Sequence, residues 1–187
     1  MPASPWRPAP QASSSLKRLL RDRRGIAAVE FALTAPIAFM LLYGEYALCD
    51  ALTVKRKLTI TAHTIADLVA RQSSVTSTSL SSILNASAQV IAPYSSGNLS
   101  IVVSELTTNG SGVTTVTWSS AFNGTPLTTG ATVQPPAGMA QNNTSLIFSN
   151  ATYSFTPALG QSLFGTMTFT SQFYENPRIT ASVNYSN

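Results

Sequence analysis

RRGIAAVEFALTAPIAFMLLYGEYALC, residues 23–49, decides the fold. After the arginine pair and Gly25, the residues from Ile26 to Leu48 are almost all apolar. Coiled as a helix at 1.5 Å per residue, they extend about 34 Å, enough to cross a hydrocarbon core about 30 Å thick. Few residues break the run: Glu30 near its start, Thr34 and Pro36 within it, and Glu45 near its end. A charged carboxylate at mid-bilayer costs roughly 2.5–3.5 kcal/mol and marks a functional position by default. Glu30 is therefore the residue the sequence leaves to be explained.

Working outward, the charge is unevenly spread. The net charge is +4, from 11 basic and 7 acidic residues. Lys17, Arg18, Arg21, Arg23 and Arg24 crowd ahead of the apolar run, and Lys55, Arg56, Lys57 and Arg71 follow it. From Gln72 onward the charged residues are Glu105, Glu175 and Arg178. The basicity therefore reports topology and excludes a nucleic-acid-binding face. Cations flanking the helix on its N-terminal side place the N-terminus in the cytoplasm, although Lys55 to Lys57 pull the other way. A cleavable secretory signal fits poorly, because the apolar run is long, contains Glu30 and ends without a small-residue cleavage site.

The pattern predicts four segments: a cytoplasmic basic leader (1–25), a transmembrane helix (26–48), a helical region continuing from the membrane (49–95) and an exported β-rich domain (96–187). One long helix is expected from about residue 26 to 71, kinked by Pro36, which removes a backbone donor. Beyond the membrane its stripe is read as Leu48, Leu52, Leu58, Ala62, Ile65, Ala66 and Val69. After a polar break at 72–77, Thr78 or Ser79 is the expected cap of a short helix reaching Ala92, before Pro93. The period then becomes two. Residues 99–106, 113–120, 145–155, 165–174 and 179–185 read as strands, with a hairpin at Asn109-Gly-Ser-Gly112 and a long irregular loop at 123–143. The fold class is α+β: a long helix, a second short helix and an antiparallel sheet.

The chemistry of catalysis is thin. The exported domain offers no histidine or cysteine and only two carboxylates, Glu105 and Glu175. Its many hydroxyls have no evident base, and no nucleophile, phosphate-binding or metal-binding motif is present. Neither enzyme activity nor a cofactor or metal is expected. His63 is read as a surface residue, Cys49 as a packing residue at the membrane edge, and Arg178 as the partner of Glu175.

The stretch that decides the fold also carries a resemblance. Gly25 followed by Ile-Ala-Ala-Val-Glu-Phe looks like the processing motif of type IV prepilins. With Arg23/Gly25, Ala27 to Ala32, Pro36 and the Gly44/Glu45 pair, the segment resembles the TadE/TadG-like family of the tight-adherence (Flp) pilus system. Similarity continues in Ala66-Asp-Leu-Val-Ala70, Ala92-Pro-Tyr94, Tyr153-x-Phe155-x-Pro157 and Asn176-Pro-Arg178, so it covers roughly residues 20–180. The resemblance implies a pilin-like, single-pass protein of the bacterial inner membrane with a periplasmic or extracellular C-terminal domain. It is expected to act as a pseudopilin, minor pilin or assembly component, with the bilayer, other pilus proteins and a prepilin peptidase as partners. Arg24, Gly25 and Ile26 are the candidate processing site, and Glu30, Phe31 and Pro36 the candidate assembly residues. The alternative expectation is an uncleaved membrane-tethered scaffold or adhesion module.

Overall fold

A computed structural model describes residues 25–157 and 165–186 of this chain. The basic leader before Gly25, Arg24 included, lies outside the described residues. Helix α1 runs from Ile26 to Ala70 with Pro36 inside it, close to the expected span. The chain divides into two units, 1–46 and 47–187, and the boundary falls within α1.

Among the described residues of the first unit, none buries the apolar surface of α1. Phe31, Leu33, Ile37, Phe39, Met40, Leu41 and Leu42 are all exposed. In the second unit the same helix becomes one-sided. Ala47, Ala51, Val54, Leu58, Thr61, Ala62, Ile65, Ala66, Val69 and Ala70 are buried at three- and four-residue spacing. Leu48 and Leu52, 61% and 59% exposed, lie outside that stripe. The expected stripe was thus wrong at its start: small alanines, not the leucines, meet the domain there.

The polar break holds a short strand, β1 (Ser74–Thr76), and helix α2 follows at Ser77–Ala88. Its cap is Thr76, two residues before the earlier of the expected caps. The Thr76 hydroxyl accepts the Ser79 N–H at 3.1 Å, while the Ser79 hydroxyl accepts the Thr76 N–H at 2.8 Å. This reciprocal box satisfies two of the amides a helix start leaves orphaned. Leu80, Leu84 and Ala88 bury one face, a 3₁₀ turn at Gln89–Ile91 ends the helix, and the Ala92–Pro93 bond is cis.

Strands β2 (Leu99–Thr108), β3 (Thr114–Phe122), β4 (Thr144–Phe155) and β5 (Met167–Glu175) form an antiparallel sheet in the order β3-β2-β4-β5. The β2–β3 hairpin closes where expected. Asn109 Oδ1 accepts the N–H groups of Ser111 and Val113, and Gly112 takes the left-handed φ of +80° that the turn needs. Opposite Glu105 and Leu106 the register skips from Trp118 to Val116, a bulge at Thr117. One sheet face packs Leu99, Ile101, Val103, Trp118, Ile147, Ala151, Tyr153 and Phe155 against the buried stripes of α1 and α2.

The other face carries a second, smaller core of Leu106, Val116, Leu146 and Phe148. Leu127, Ala131 and Val133 of the 123–143 segment cover it, with Tyr174. That segment is irregular, as expected, but it also extends the sheet. The Val116 and Val133 amides donate to Ala131 and Thr114 carbonyls at 3.0 Å each, which shields the β3 edge.

The expected strand at 179–185 is a correction. Residues 178–182 are bends, and only Asn184–Ser186 (β6) is extended. It pairs in parallel with β1, not with the main sheet. Alternation in Ile179-Thr-Ala-Ser-Val-Asn-Tyr185 mimics a strand, yet Val183 alone of these is buried.

Candidate functional site

The residues the sequence singled out lie at the start of α1. Gly25 sits immediately before the helix, and a side chain there meets open space. Ile26 is half exposed, and Phe31 is 68% exposed. Glu30 lies one helical turn beyond Ile26 and is likewise exposed. The Thr34 hydroxyl donates back to the Glu30 carbonyl at 2.9 Å and to the Phe31 carbonyl at 3.3 Å. This local bond hides the hydroxyl's polarity inside the helix, and it lies beside Pro36, whose ring removes an amide from the ladder. Over this stretch mean hydropathy reaches 1.9 with none of the window buried. An apolar band of this length is compatible with a single membrane span.

The lysines of α1 that follow the apolar run have work within the second unit. Lys55 Nζ donates to the Thr170 carbonyl on β5. Lys57 Nζ donates to the carbonyls of Ala92 at 2.6 Å and Val90 at 3.4 Å, where the chain leaves α2. Asp50 accepts the Tyr94 hydroxyl. Exposed His63 sets its ring edge-on to Phe173 at 4.4 Å. Cys49 is exposed, so it is not packed into this chain's own core.

A second arrangement had no sequence signal beyond the presence of its carboxylate. Glu105, on central strand β2, is 1% exposed. Its neighbours across the sheet are Trp118 and Ile147. One carboxyl oxygen accepts the Val183 N–H at 2.8 Å, and the Trp118 indole N–H donates to the Val183 carbonyl at 2.8 Å. Both backbone groups of one C-terminal residue are thus taken by side chains of the sheet. Tyr185 then stacks on Trp118 at 5.8 Å. Burial pushes the Glu105 carboxyl above its usual range, against the opposing pull of hydrogen bonds from Val183, Trp118 and Ser145.

The chain segment that Glu105 grips is a strap. At its start Arg178 donates its amide to the Ala70 carbonyl at 2.8 Å. Its guanidinium reaches Glu175 at 2.9 Å, as the sequence predicts, and also Asp67 at 3.0 Å, which pairs with Arg71 as well. At its end β6 lies along β1. Between strap and sheet is an open cleft of about 620 Å³, lined by Glu105, Trp118, Tyr185 and a run of hydroxyls. Thr107 bridges the Thr117 and Ser145 hydroxyls at 2.6 and 3.2 Å. Among the described residues, no group of three or more His, Cys, Asp or Glu is placed to hold a metal ion.

Comparison with known proteins adds no assignment: no family model, no curated protein and no solved structure matches this chain.

Proposed function

We propose that the chain is a membrane-anchored pseudopilin, minor pilin or assembly component of a bacterial tight-adherence pilus. It acts through helix packing and subunit contacts and not through catalysis. The observation that carries this reading is the exposed apolar stretch of α1, with one carboxylate a single turn beyond Ile26 and a glycine immediately before it. Cleavage after Gly25 by a prepilin peptidase frees the Ile26 amine. Glu30 then neutralises that amine or its counterpart on a neighbouring subunit, and the dipole of the first helical turn favours the carboxylate there. Pairing offsets the burial cost and sets axial register between helices. Phe31 is exposed beside it, and Pro36, inside the continuous helix, leaves one ladder carbonyl without its helical donor.

The N-terminus is cytoplasmic in this reading and the 47–187 unit lies outside. The contacts of Lys55 and Lys57 with backbone carbonyls support it, because they give those cations a role besides marking a cytoplasmic flank. The test is Glu30→Ala and Glu30→Gln in cells that assemble the pilus. Membrane levels of both variants are expected to match wild type while surface pili are lost. Normal piliation at normal protein level defeats the register role and leaves Glu30 as an interfacial residue in a tethered scaffold.

A further inference from the structure

The open cleft between strap and sheet measures about 620 Å³, within the range of small-molecule sites. Its lining is polar but nearly without charge. Among the described residues that line it, Glu105 is the one charged side chain, and it already accepts the Val183 amide. Arg178, at the start of the strap, is turned to Glu175 and Asp67. An anionic ligand therefore meets no counter-charge in the lining. What the cleft offers is hydroxyls and amides. Thr117, Thr107 and Ser145 form a chain of three hydroxyls joined by two bonds, which leaves one O–H and spare lone pairs for a ligand. Asn143 and Asn184 add side-chain amides, each both donor and acceptor. One wall is aromatic: Tyr185 stacks on Trp118 at 5.8 Å and is still 38% exposed. Glu105 and Trp118 hold both backbone groups of Val183, which fixes the segment that carries Tyr185. The site also extends. A neighbouring cleft of about 210 Å³ shares Asn143, Thr144, Ser145 and Ala181 with it. A third, of about 470 Å³, shares Thr144 and Asn176 with the second and brings Tyr174. No charged residue lines either of these two.

We propose that this run of clefts binds a neutral sugar chain. A pyranose ring has an apolar face that stacks on an aromatic side chain, and a rim of hydroxyls that pair with hydroxyl and amide groups. Tyr185 supplies the first, and the Thr117–Thr107–Ser145 chain with Asn143 and Asn184 supplies the second. The extension past Thr144 toward Tyr174 suits a chain of rings better than a single one. Other ligand classes match less well. Nucleic acid and acidic polysaccharide are held through cations, which the lining lacks. A peptide added as a strand is held through main-chain groups of a sheet edge. Here the groups on offer are side chains, and Ala131 and Val133 already cover the β3 edge. Binding is non-covalent, and no bond of the sugar breaks. All these residues belong to the 47–187 unit, so sugar binding is independent of how the apolar stretch of α1 assembles.

The experiment is isothermal titration calorimetry of the full chain in nanodiscs with cellotetraose, maltotetraose and chitotetraose, and with tetragalacturonate as the acidic control. Saturable binding of at least one neutral tetrasaccharide is expected, and none of tetragalacturonate. Tyr185→Ala removes the stacking wall and is expected to weaken that binding about tenfold. Because Tyr185 also packs on Trp118, a second variant probes the cleft without touching that stack. Thr117→Tyr, at an exposed position of β3, fills the cleft with a strand-compatible side chain and is expected to weaken binding at least as much. Should Tyr185→Ala fail to fold, Thr117→Tyr decides. Absence of saturable binding by all three neutral sugars overturns the proposal, and so does tetragalacturonate binding as tight as theirs. Neutral binding that Thr117→Tyr leaves unchanged puts the sugar elsewhere on the protein and overturns it as well.

Discussion

The two parts of α1 obey opposite rules. From Ile26 to Tyr46 the large side chains face outward, and Leu33 and Leu41 are 69% and 70% exposed. From Ala47 to Ala70 the helix buries a stripe that includes Leu58 and Ile65, both 0% exposed. Helical propensity does not separate them, since the first part carries Pro36 and Gly44, the second many β-branched residues, and both are helical. What differs is what this chain lays against the apolar surface: its own sheet covers the second part, and none of the described residues bury the first. The comparison teaches that continuous secondary structure need not share one source of stability.

The largest expected effect comes from making one substitution in both parts. Leu58→Ala empties a closed site and is expected to cost the second unit about 2–5 kcal/mol. Leu41→Ala is expected to leave the denaturation midpoint of that unit unchanged. Urea titration followed by circular dichroism of the purified chain checks both, and equal losses break the distinction.

Next is Glu105, where polarity is buried inside the second unit. Glu105→Ala leaves the Val183 amide without its acceptor and is expected to cost about 1–3 kcal/mol. The pH dependence has a definite sign. With its folded value raised, Glu105 binds its proton more tightly in the folded chain. Its contribution is therefore full below the unfolded carboxyl value and declines as pH rises through the folded one. Thermal midpoints of wild type are expected to fall across that window, with the drop absent from Glu105→Gln; an unchanged drop contradicts the assignment.

Smaller again is Thr76→Ala, which deletes the capping box of α2 and is expected to cost about 0.5–2 kcal/mol in the same urea titration. Thr34→Ala also removes a hydroxyl bond to helix backbone, but in the first unit, and is expected to leave that midpoint where it is. A loss from Thr34→Ala matching that from Thr76→Ala ties the two units energetically and breaks the comparison.

Periodicity explains what was legible. Ile26 to Leu48 reads as a membrane-length helix because its polar gaps are few, and β2 to β5 read as strands because β-branched and aromatic residues alternate there. Three features were not legible for identifiable reasons. β1 and β6 are three residues long, too short for a period, and their pairing joins positions 74 and 184 across the whole domain. Leu48 and Leu52 outrank Ala47 and Ala51 in hydropathy, yet close helix approach favours the small side chain. Leu127, Ala131 and Val133 are scattered through a Gly- and Pro-rich loop, so the second core shows only when the chain is folded. Of the proposed site, Gly25, Ile26 and Glu30 stand out by motif. Glu105 was noted only as a lone carboxylate, because its burial depends on Val183, 78 residues away.

The measurement that bears most directly on the account is the intact mass and N-terminal sequence of the protein recovered from the membranes of cells with an active prepilin peptidase. The account predicts a mature chain that begins at Ile26, placing Glu30 fifth, and a full-length product from Gly25→Leu. A wild-type chain that still carries residues 1–25 contradicts it, and assigns α1 to a permanent tether.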